Sequence, residues 1–308
     1  MKTLIALTLL TAAALPAADA PARPKITGVA HIALSAHDLQ KSAAFYQNFL
    51  GYQQAFKLDN ADGSVAISFI KINDRQYIEL SPETEPGTDR LKHIALEVEN
   101  AEQMRAYLRS KGVKVPDQVP KGRTKNSNFM IKDPDGHQVE IVQYEPDGFT
   151  MREKGKFMDG PRISTRIAHV GINVGTLAPA LKFYGEILGL QEFWRGSKDG
   201  KVLSWVNMKL PESDDYIELM LYDEKPSLSQ LGTQHHICLE VASVEQAGAQ
   251  LETRKAKAGY TKPLDIKTGI NRKRQMNLYD PDGTRSEVME PKTIDGVPTP
   301  PSTAAPPR

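Results

Sequence analysis

Cysteine is nearly absent. Cys238 stands alone among 308 residues, which excludes an intrachain disulfide and any cysteine-based metal knuckle. An excess of one charge is missing too: 39 basic and 38 acidic residues give a formal net charge of +1. So balanced a chain lacks the basic surplus that phosphate backbones demand, and nucleic acid is excluded as a general partner. Long hydrophobic runs are also missing. The longest uncharged apolar stretch, Thr3 to Leu15, is too short to anchor in a bilayer, so no membrane association is expected of the mature chain. What is present is 40% hydrophobic and 25% charged residues. That is the composition of a globular chain, long enough for two domains with cores of their own.

Both ends differ from the middle. Met1-Lys2 is a basic start, Thr3 to Leu15 is apolar, and small residues follow up to Ala22. That order predicts a secretory signal peptide over 1–22, cleaved after Ala20 or Ala22, and hence an exported protein, periplasmic or secreted. The proline-rich tail 291–308 carries no apolar periodicity and is expected to be disordered.

Between the ends the sequence repeats itself. His-Ile-Ala-Leu occurs at 31–34 and 93–96, Tyr-Ile-Glu-Leu at 77–80 and 216–219, and Asp-Pro-Asp-Gly at 133–136 and 280–283. Phe45-Tyr46 with Leu50-Gly51 matches Phe183-Tyr184 with Leu188-Gly189. A long repeat thus relates unit 1 (26–145) to unit 2 (164–290) across a linker (146–163), and a shorter repeat halves each unit. Each quarter reads as a strand, a helix and three strands, a βαβββ module in an α+β fold. In the first quarter, Leu39, Ala43, Tyr46 and Leu50 fall at helical spacing. Asp38 is a candidate N-cap of that helix and Gly51 its stop. The Asp-Pro-Asp-Gly strings read as tight turns and not as sites.

Four of the seven histidines, His31, His93, His169 and His236, take the same place in the first strand of each quarter, and Glu79, Glu140, Glu218 and Glu287 take the same place in the last. Alternation sets His93 and Ala95 opposite Ile94, Leu96 and Val98, and it sets His169 and Gly171 opposite Val170, Ile172 and Val174. Two places after each histidine stands a small residue, Ala33, Ala95, Gly171 or Cys238. A ligand beside a small side chain is what a cavity floor requires. Imidazole with carboxylate suits a divalent ion such as Fe, Mn, Ni, Co or Zn, and two histidines with one carboxylate hold one face of an octahedron. All eight residues are therefore candidate metal ligands. The repeat permits two assemblies: His31, Glu79, His93 and Glu140 within one unit, or a swap that pairs His31 and Glu79 with His236 and Glu287.

The remaining histidines, His37, His137 and His235, do not align and are expected at the surface or behind the ligands. Lys121–Lys125 and Asn271–Arg274 occupy equivalent loops and read as solvated basic loops, with an anion-attracting rim as the alternative. Trp194 and Trp205 either line the second cup or belong to the core. Phe45, Tyr46, Phe183 and Tyr184 sit at packing positions.

The motifs His31-Ile-Ala-Leu34, Tyr77-Ile-Glu-Leu80, His93-Ile-Ala-Leu-Glu-Val98 and Asp133-Pro-Asp-Gly-His-Gln-Val-Glu140, with their equivalents in the second unit, resemble the vicinal oxygen chelate superfamily of glyoxalase I, bleomycin-binding proteins and extradiol dioxygenases. The resemblance implies paired modules curled into cups around a divalent metal, with a small-molecule substrate that offers two adjacent oxygens, in a monomer or homodimer. The His, Glu, His, Glu order looks most like glyoxalase I, which implies a glutamate base: Glu79 or Glu140 in one site, Glu218 or Glu287 in the other. Two features depart from that likeness. The position four residues after the first histidine, where a basic glutathione contact is common, holds Ser35 or Asn173, and an exported protein is not expected to meet glutathione. The alternative enzyme is an iron dioxygenase using His31, His93 and Glu140, or His169, His236 and Glu287. Against it, Met130 and Asn277 stand where that family places a tyrosine, ten residues before the last glutamate. A non-catalytic binder of a drug or metabolite is the third reading.

Overall fold

Alternation along the strands decides the architecture. The apolar faces must be covered, and the faces carrying histidine and glutamate are left to line a hollow. The computed structural model describes residues 21–87 and 89–307; the expected signal peptide lies, but for its last two residues, outside them. The first unit contributes β1 (Ile26–Ala36), β2 (Gln53–Asp59), β3 (Val65–Lys71), β4 (Tyr77–Pro82), β5 (Leu91–Val98), β6 (Ser127–Lys132) and β7 (Gln138–Gln143), in the order β2-β3-β4-β1-β5-β7-β6. The second contributes β8 (Ile167–Val174), β9 (Gln191–Gly196), β10 (Trp205–Lys209), β11 (Tyr216–Leu221), β12 (His236–Glu240), β13 (Ile266–Thr268), β14 (Lys273–Tyr279) and β15 (Arg285–Thr293), in the order β13-β14-β15-β12-β8-β11-β10-β9. In unit 1 the two histidine strands, β1 and β5, pair antiparallel at the centre, and each pairs parallel with a glutamate strand, β4 or β7. β8, β12, β11 and β15 repeat the pattern. The fold is α+β, with two curled mixed sheets.

The first helix of unit 1, α1 (Leu39–Ala44), starts where Asp38 accepts hydrogen bonds from the backbone N–H groups of Gln40 and Lys41, and it widens into π-helical turns over Phe45–Phe49. Gly51 ends it at φ +87°, where a Cβ would also meet Pro161 O at 2.3 Å; only glycine fits there. α2 (Ala101–Ser110) covers the other half of the sheet. α3 (Phe149–Arg152) lies in the linker, and α4 (Leu177–Ala180), α5 (Leu228–Gln234), α6 (Val244–Glu252) and α7 (Lys255–Ala258) belong to unit 2.

Two expectations need correction. The second module has two strands after its helix and not three. Its stretch 113–122 holds Pro116 and Pro120, which cannot donate to a ladder, and it contributes only an isolated bridge from Lys121 to Ser127. The tail 291–308 is not disordered over its described residues. It continues β15 to Thr293 and then returns as a strap along the edge of β9. Ser302 N–H donates to Arg195 O at 2.9 Å, and Leu203 N–H donates to Ala305 O at 2.8 Å. A proline-rich strand lacks donors but keeps its carbonyls, so it suits an edge.

The Asp-Pro-Asp-Gly turns do more than reverse the chain. Asp133 Oδ1 closes its own turn by accepting from the N–H groups of Asp135 and His137, while its Oδ2 accepts from the hydroxyl of Tyr184 in the other unit at 2.9 Å. Asp280 does the same, accepting from Asp282 and Thr284 N–H and, at 3.3 Å, from Tyr46 OH of unit 1. Burial pushes the Asp280 carboxyl up to about 6. Each unit thus latches its turn onto the first helix of the other, and one large apolar cluster runs through both units. Tyr184→Phe removes a hydrogen bond to a buried carboxylate and should cost roughly 1.5–3 kcal/mol in urea unfolding. An unfolding midpoint unchanged in Tyr184→Phe would deny the latch any part in stability.

Candidate metal centres

Register brings the predicted ligands together. In unit 1, Ala33 pairs with Glu79 on one side and with His93 on the other, while Ala95 pairs with His31 and Glu140. In unit 2, Gly171 lies between Glu218 and His236, and Cys238 between His169 and Glu287. Every donor therefore has a small residue beside it on the next strand, and four donors tilt toward one point on the concave face. The module-swapped assembly is not the one formed: each set of four is built within its own unit, because a continuous sheet joins β4, β1, β5 and β7.

In centre 1, His31 Nε2 lies 2.9 Å from His93 Nε2, and Glu140 Oε2 lies 3.2 Å from the first and 3.0 Å from the second. Bonds of about 2.1 Å meeting at right angles put neighbouring donors about 3 Å apart, so this spacing fits one face of a coordination octahedron. Asn128 Nδ2 donates to Glu140 Oε1 at 2.5 Å and fixes that carboxylate. Glu79 stands back, with its oxygens 3.4 Å from His31 Nε2 and 3.8 Å from His93 Nε2. Burial would lower the pKa of His31, but Glu79 and Glu140 override it and hold it above its ordinary value. Burial drives Glu79 up, whereas the two imidazoles overcome burial at Glu140 and hold it below the usual carboxylate range.

Centre 2 repeats the donors but not the surroundings. His169 Nε2 and His236 Nε2 are 3.0 Å apart, and Glu287 Oε2 lies 3.3 Å and 3.7 Å from them; Glu218 Oε2 is 3.5 Å from His236 Nε2. The His236 ring lies over Gly171, where an added Cβ would meet Cε1 at 2.0 Å. Its Nδ1 is 2.6 Å from Gln234 O, and Arg285 Nη2 lies against the ring, 2.7 Å from Nδ1 and 3.2 Å from Nε2. Burial and the Arg285 charge push His236 down to about 3. These two triads are the groups able to hold a metal among the described residues. Their buried carboxylates and converging nitrogens fit a divalent ion on the chemistry of the donors alone.

The cups above the centres differ more. Opposite Glu79 stands Phe69, and opposite Phe69 stands Phe56. Their rings stack at 4.3 Å, with Phe149 of α3 edge-on to Phe56 at 5.6 Å, so aromatic side chains cover the Glu79 side of cup 1, while Asn128 and Met130 near Glu140 line a cavity of about 710 Å³. The equivalent residues in unit 2 are Asn207, opposite Glu218, and Trp194, opposite Asn207. There the tail, and not the linker, forms the cover, and it leaves a cavity of about 530 Å³. Trp194 lines that cavity, as do Asn271 and Lys273 of one basic loop. The other loop makes local contacts, with Lys121 near Asp147 and Arg123 on Asp59 O.

His37 is exposed and paired with Glu83. His235 departs from expectation: it is buried between the units, its ring 5.2 Å from that of His137 and its Nδ1 3.2 Å from Asp89. Sequence reasoning missed Asn128, Asn207 and Arg285. Arg285 carried a usable signal, because it lies two residues before Glu287 and therefore on the same strand face.

A model of the family described as "Glyoxalase/Bleomycin resistance protein/Dioxygenase superfamily" matches residues 28–141 and 166–288, one stretch for each sheet. Curated relatives match over a single unit's length. A probable lactoylglutathione lyase of Synechocystis sp. is 32% identical over 125 residues, 37% of this chain and 92% of that one. The lactoylglutathione lyase of Salmonella typhimurium is 29% identical over 128 residues, 38% of this chain and 93% of that one. Solved structures match the tandem arrangement. A variant of homoprotocatechuate 2,3-dioxygenase from B. fuscum superposes with a TM-score of 0.68 at 18% identity, over 94% of this chain and 78% of that one. The Mn(II)-bound glyoxalase from Novosphingobium aromaticivorans gives 0.65 at 18% identity, over 92% and 88%. Donor sets, sheet order and both matched stretches agree, and the chain belongs to the glyoxalase, bleomycin resistance and dioxygenase superfamily.

Proposed function

We propose that this protein is a divalent-metal-dependent enzyme that moves a proton on a small molecule carrying two neighbouring oxygens, in the manner of a glyoxalase-type lyase or isomerase. The observation that carries this reading is the fourth side chain of each centre. Two histidines and Glu140 or Glu287 form a close triad, while Glu79 and Glu218 lie beside it at 3.4–3.8 Å and 3.5 Å. A carboxylate at the edge of the donors, buried and facing the cup, is placed to take a proton from one carbon of the substrate and return it to the next. A bound divalent ion supplies Lewis-acid polarisation of the two oxygens. His31 and His93, or His169 and His236, would hold that ion in place, and Asn128 orients Glu140. The lactoylglutathione lyases similar over one unit's length support this class of chemistry. The uncharged Ser35 and Asn173 give no support to glutathione itself as part of the substrate.

Elemental analysis tests the reading first. Purified protein should carry one of Fe, Mn, Ni, Co or Zn, with His93→Ala losing the ion of centre 1 and His236→Ala that of centre 2. Wild-type metal content in both variants would remove the case for a metalloenzyme. The identity of the base is tested separately. Glu79→Gln or Glu218→Gln, in whichever centre works, should keep its metal while kcat falls about 10²–10⁴-fold, the usual contribution of a positioned base. A screen of 2-oxoaldehyde thiol adducts without oxygen, against catechols under air, should give turnover with the adducts. Oxygen-dependent consumption of catechol would replace this reading with the dioxygenase.

The chemistry is proposed to take place outside the cytoplasm, on the strength of the basic, apolar and small-residue order over 1–22. N-terminal sequencing of the protein expressed in its own cell type should start at Pro21 or Arg23. An intact Met1 in the mature protein would place it in the cytoplasm instead.

A further inference from the structure

We infer that the two centres do not fill alike: Arg285 holds a fixed positive charge against His236, so centre 2 takes a divalent ion at least about a hundredfold less tightly than centre 1. The inference rests on the proposed reading that both donor sets take such an ion. It names centre 1 as the one loaded when metal is scarce.

Strand register puts the arginine there. In the parallel ladder of β12 and β15, Arg285 is the direct partner of His236, and it lies two residues before Glu287, on the same face. Its Nη2 is 2.7 Å from His236 Nδ1 and 3.2 Å from Nε2. A guanidinium stays charged throughout the working pH range and offers no lone pair to a metal. An ion bonded to His236 would therefore meet a like charge beside the same ring. The carboxylates already feel that charge, since Arg285 acts on both Glu218 and Glu287. The groups that would neutralise an ion in centre 2 are thus partly engaged by the protein's own cation. Unit 1 has Gln138 at the equivalent place, two residues before Glu140.

Donor geometry departs at the same histidine. His31 and His169 stand at nearly equal distances from their carboxylates, 3.2 Å from Glu140 Oε2 and 3.3 Å from Glu287 Oε2. Their partners do not: His93 is 3.0 Å from Glu140 Oε2, but His236 is 3.7 Å from Glu287 Oε2. His236 lies between Arg285 on one neighbouring strand and Gly171 on the other. Its ring leans over Gly171, into space that a Cβ would need, whereas His93 stands beside Ala33, which has one.

The carboxylates are also held differently. Asn128, opposite Val142, donates to Glu140 Oε1 at 2.5 Å. Its counterpart Gln275, opposite Met289, turns to Gly269, where its Oε1 takes the place of a Cβ. A carboxylate fixed by an outer hydrogen bond keeps its position for the ion, and such partners are worth about 10–100-fold in metal affinity.

Calorimetric titration of the full chain with Zn(II), after stripping by a chelator, tests the inference. His236→Ala leaves centre 1 to be read alone, and His93→Ala leaves centre 2. The first variant should bind Zn(II) at least about a hundredfold tighter than the second. Added to His93→Ala, both Arg285→Gln and Arg285→Met should tighten centre 2 by about tenfold or more; added to His236→Ala, Gln138→Arg should weaken centre 1 by a similar factor. The methionine variant removes the charge without supplying an amide, so agreement between the two neutral residues assigns the effect to charge. Equal affinity in the two histidine variants overturns the inference, and so does a centre 2 that neither neutral substitution tightens. Should circular dichroism show the Arg285 variants unfolded, Gln138→Arg decides, and an unchanged centre 1 overturns the inference. Two equal centres would leave the proposed metal chemistry standing, whereas a folded wild-type chain that takes no Zn(II) would sink that chemistry as well.

Discussion

The structure depends on burying ionisable groups at the middle of a sheet without leaving them unpaired. Each unit places two imidazoles and two carboxylates on four adjacent strands, all of them largely removed from water. Such groups cost several kcal/mol apiece unless opposite charge or hydrogen bonds answer them. Antiparallel and parallel pairing provide the geometry for that answer. A donor on one strand faces Ala33, Ala95, Gly171 or Cys238 on the next, so the side chains lean over small neighbours and converge. A larger residue at any of these four positions would prop the donors apart. The cup is therefore specified by its small residues as much as by its ligands.

The same constraint explains what the two units share and what they do not. Donors, small residues and apolar outer faces recur because they make the sheet and its centre. The positions around them are free to differ, and they do: Phe69 against Asn207, Phe56 against Trp194, Gln138 against Arg285. The segments leaving the two sheets differ as well. After β7 the chain brings Phe149 down into the first cup, whereas after β15 the tail runs along β9 and leaves a cavity beneath it. One frame thus carries two cups with different covers.

Much of this was legible in the sequence. The repeat gave the number of units, the strand alternation gave the face, and the recurrence of His31, His93, His169 and His236 with their four glutamates gave both centres, because a His/Glu pair is not a packing choice. The choice between a centre within a unit and a swapped one was not legible, since the repeat is symmetric in both and only the order of strands decides. The latches of Tyr46 and Tyr184 were hidden for a different reason. Packing positions on amphipathic helices looked complete without their hydroxyls, and the partner aspartates lie far away in sequence, as in Tyr46 with Asp280. The tail was misread because absence of apolar periodicity argues against a core element but says nothing about an edge strap that needs only carbonyls and a few N–H groups. Asn207 and Arg285 escaped notice because polar residues on a strand usually face water, and only cross-strand register puts them beside a carboxylate or an imidazole.

Charge counting ties the centres to their cups. Centre 1 sets Glu79 and Glu140 against its two imidazoles, with the uncharged Gln138 two residues before Glu140. Centre 2 sets Glu218 and Glu287 against its own pair, but Arg285 reaches His236 and adds a positive charge that centre 1 lacks at the equivalent position. Lys273 and Lys292 extend that positive charge outward along the cavity. A buried charge of one sign is costly unless an opposite charge answers it, and beside His236 that answer comes from Glu218 and Glu287. Unit 1 holds Gln138 where unit 2 holds Arg285. The asymmetry that places phenylalanine beside Glu79 and asparagine beside Glu218 thus has an electrostatic counterpart in the arginine that only the second centre sets against its histidine.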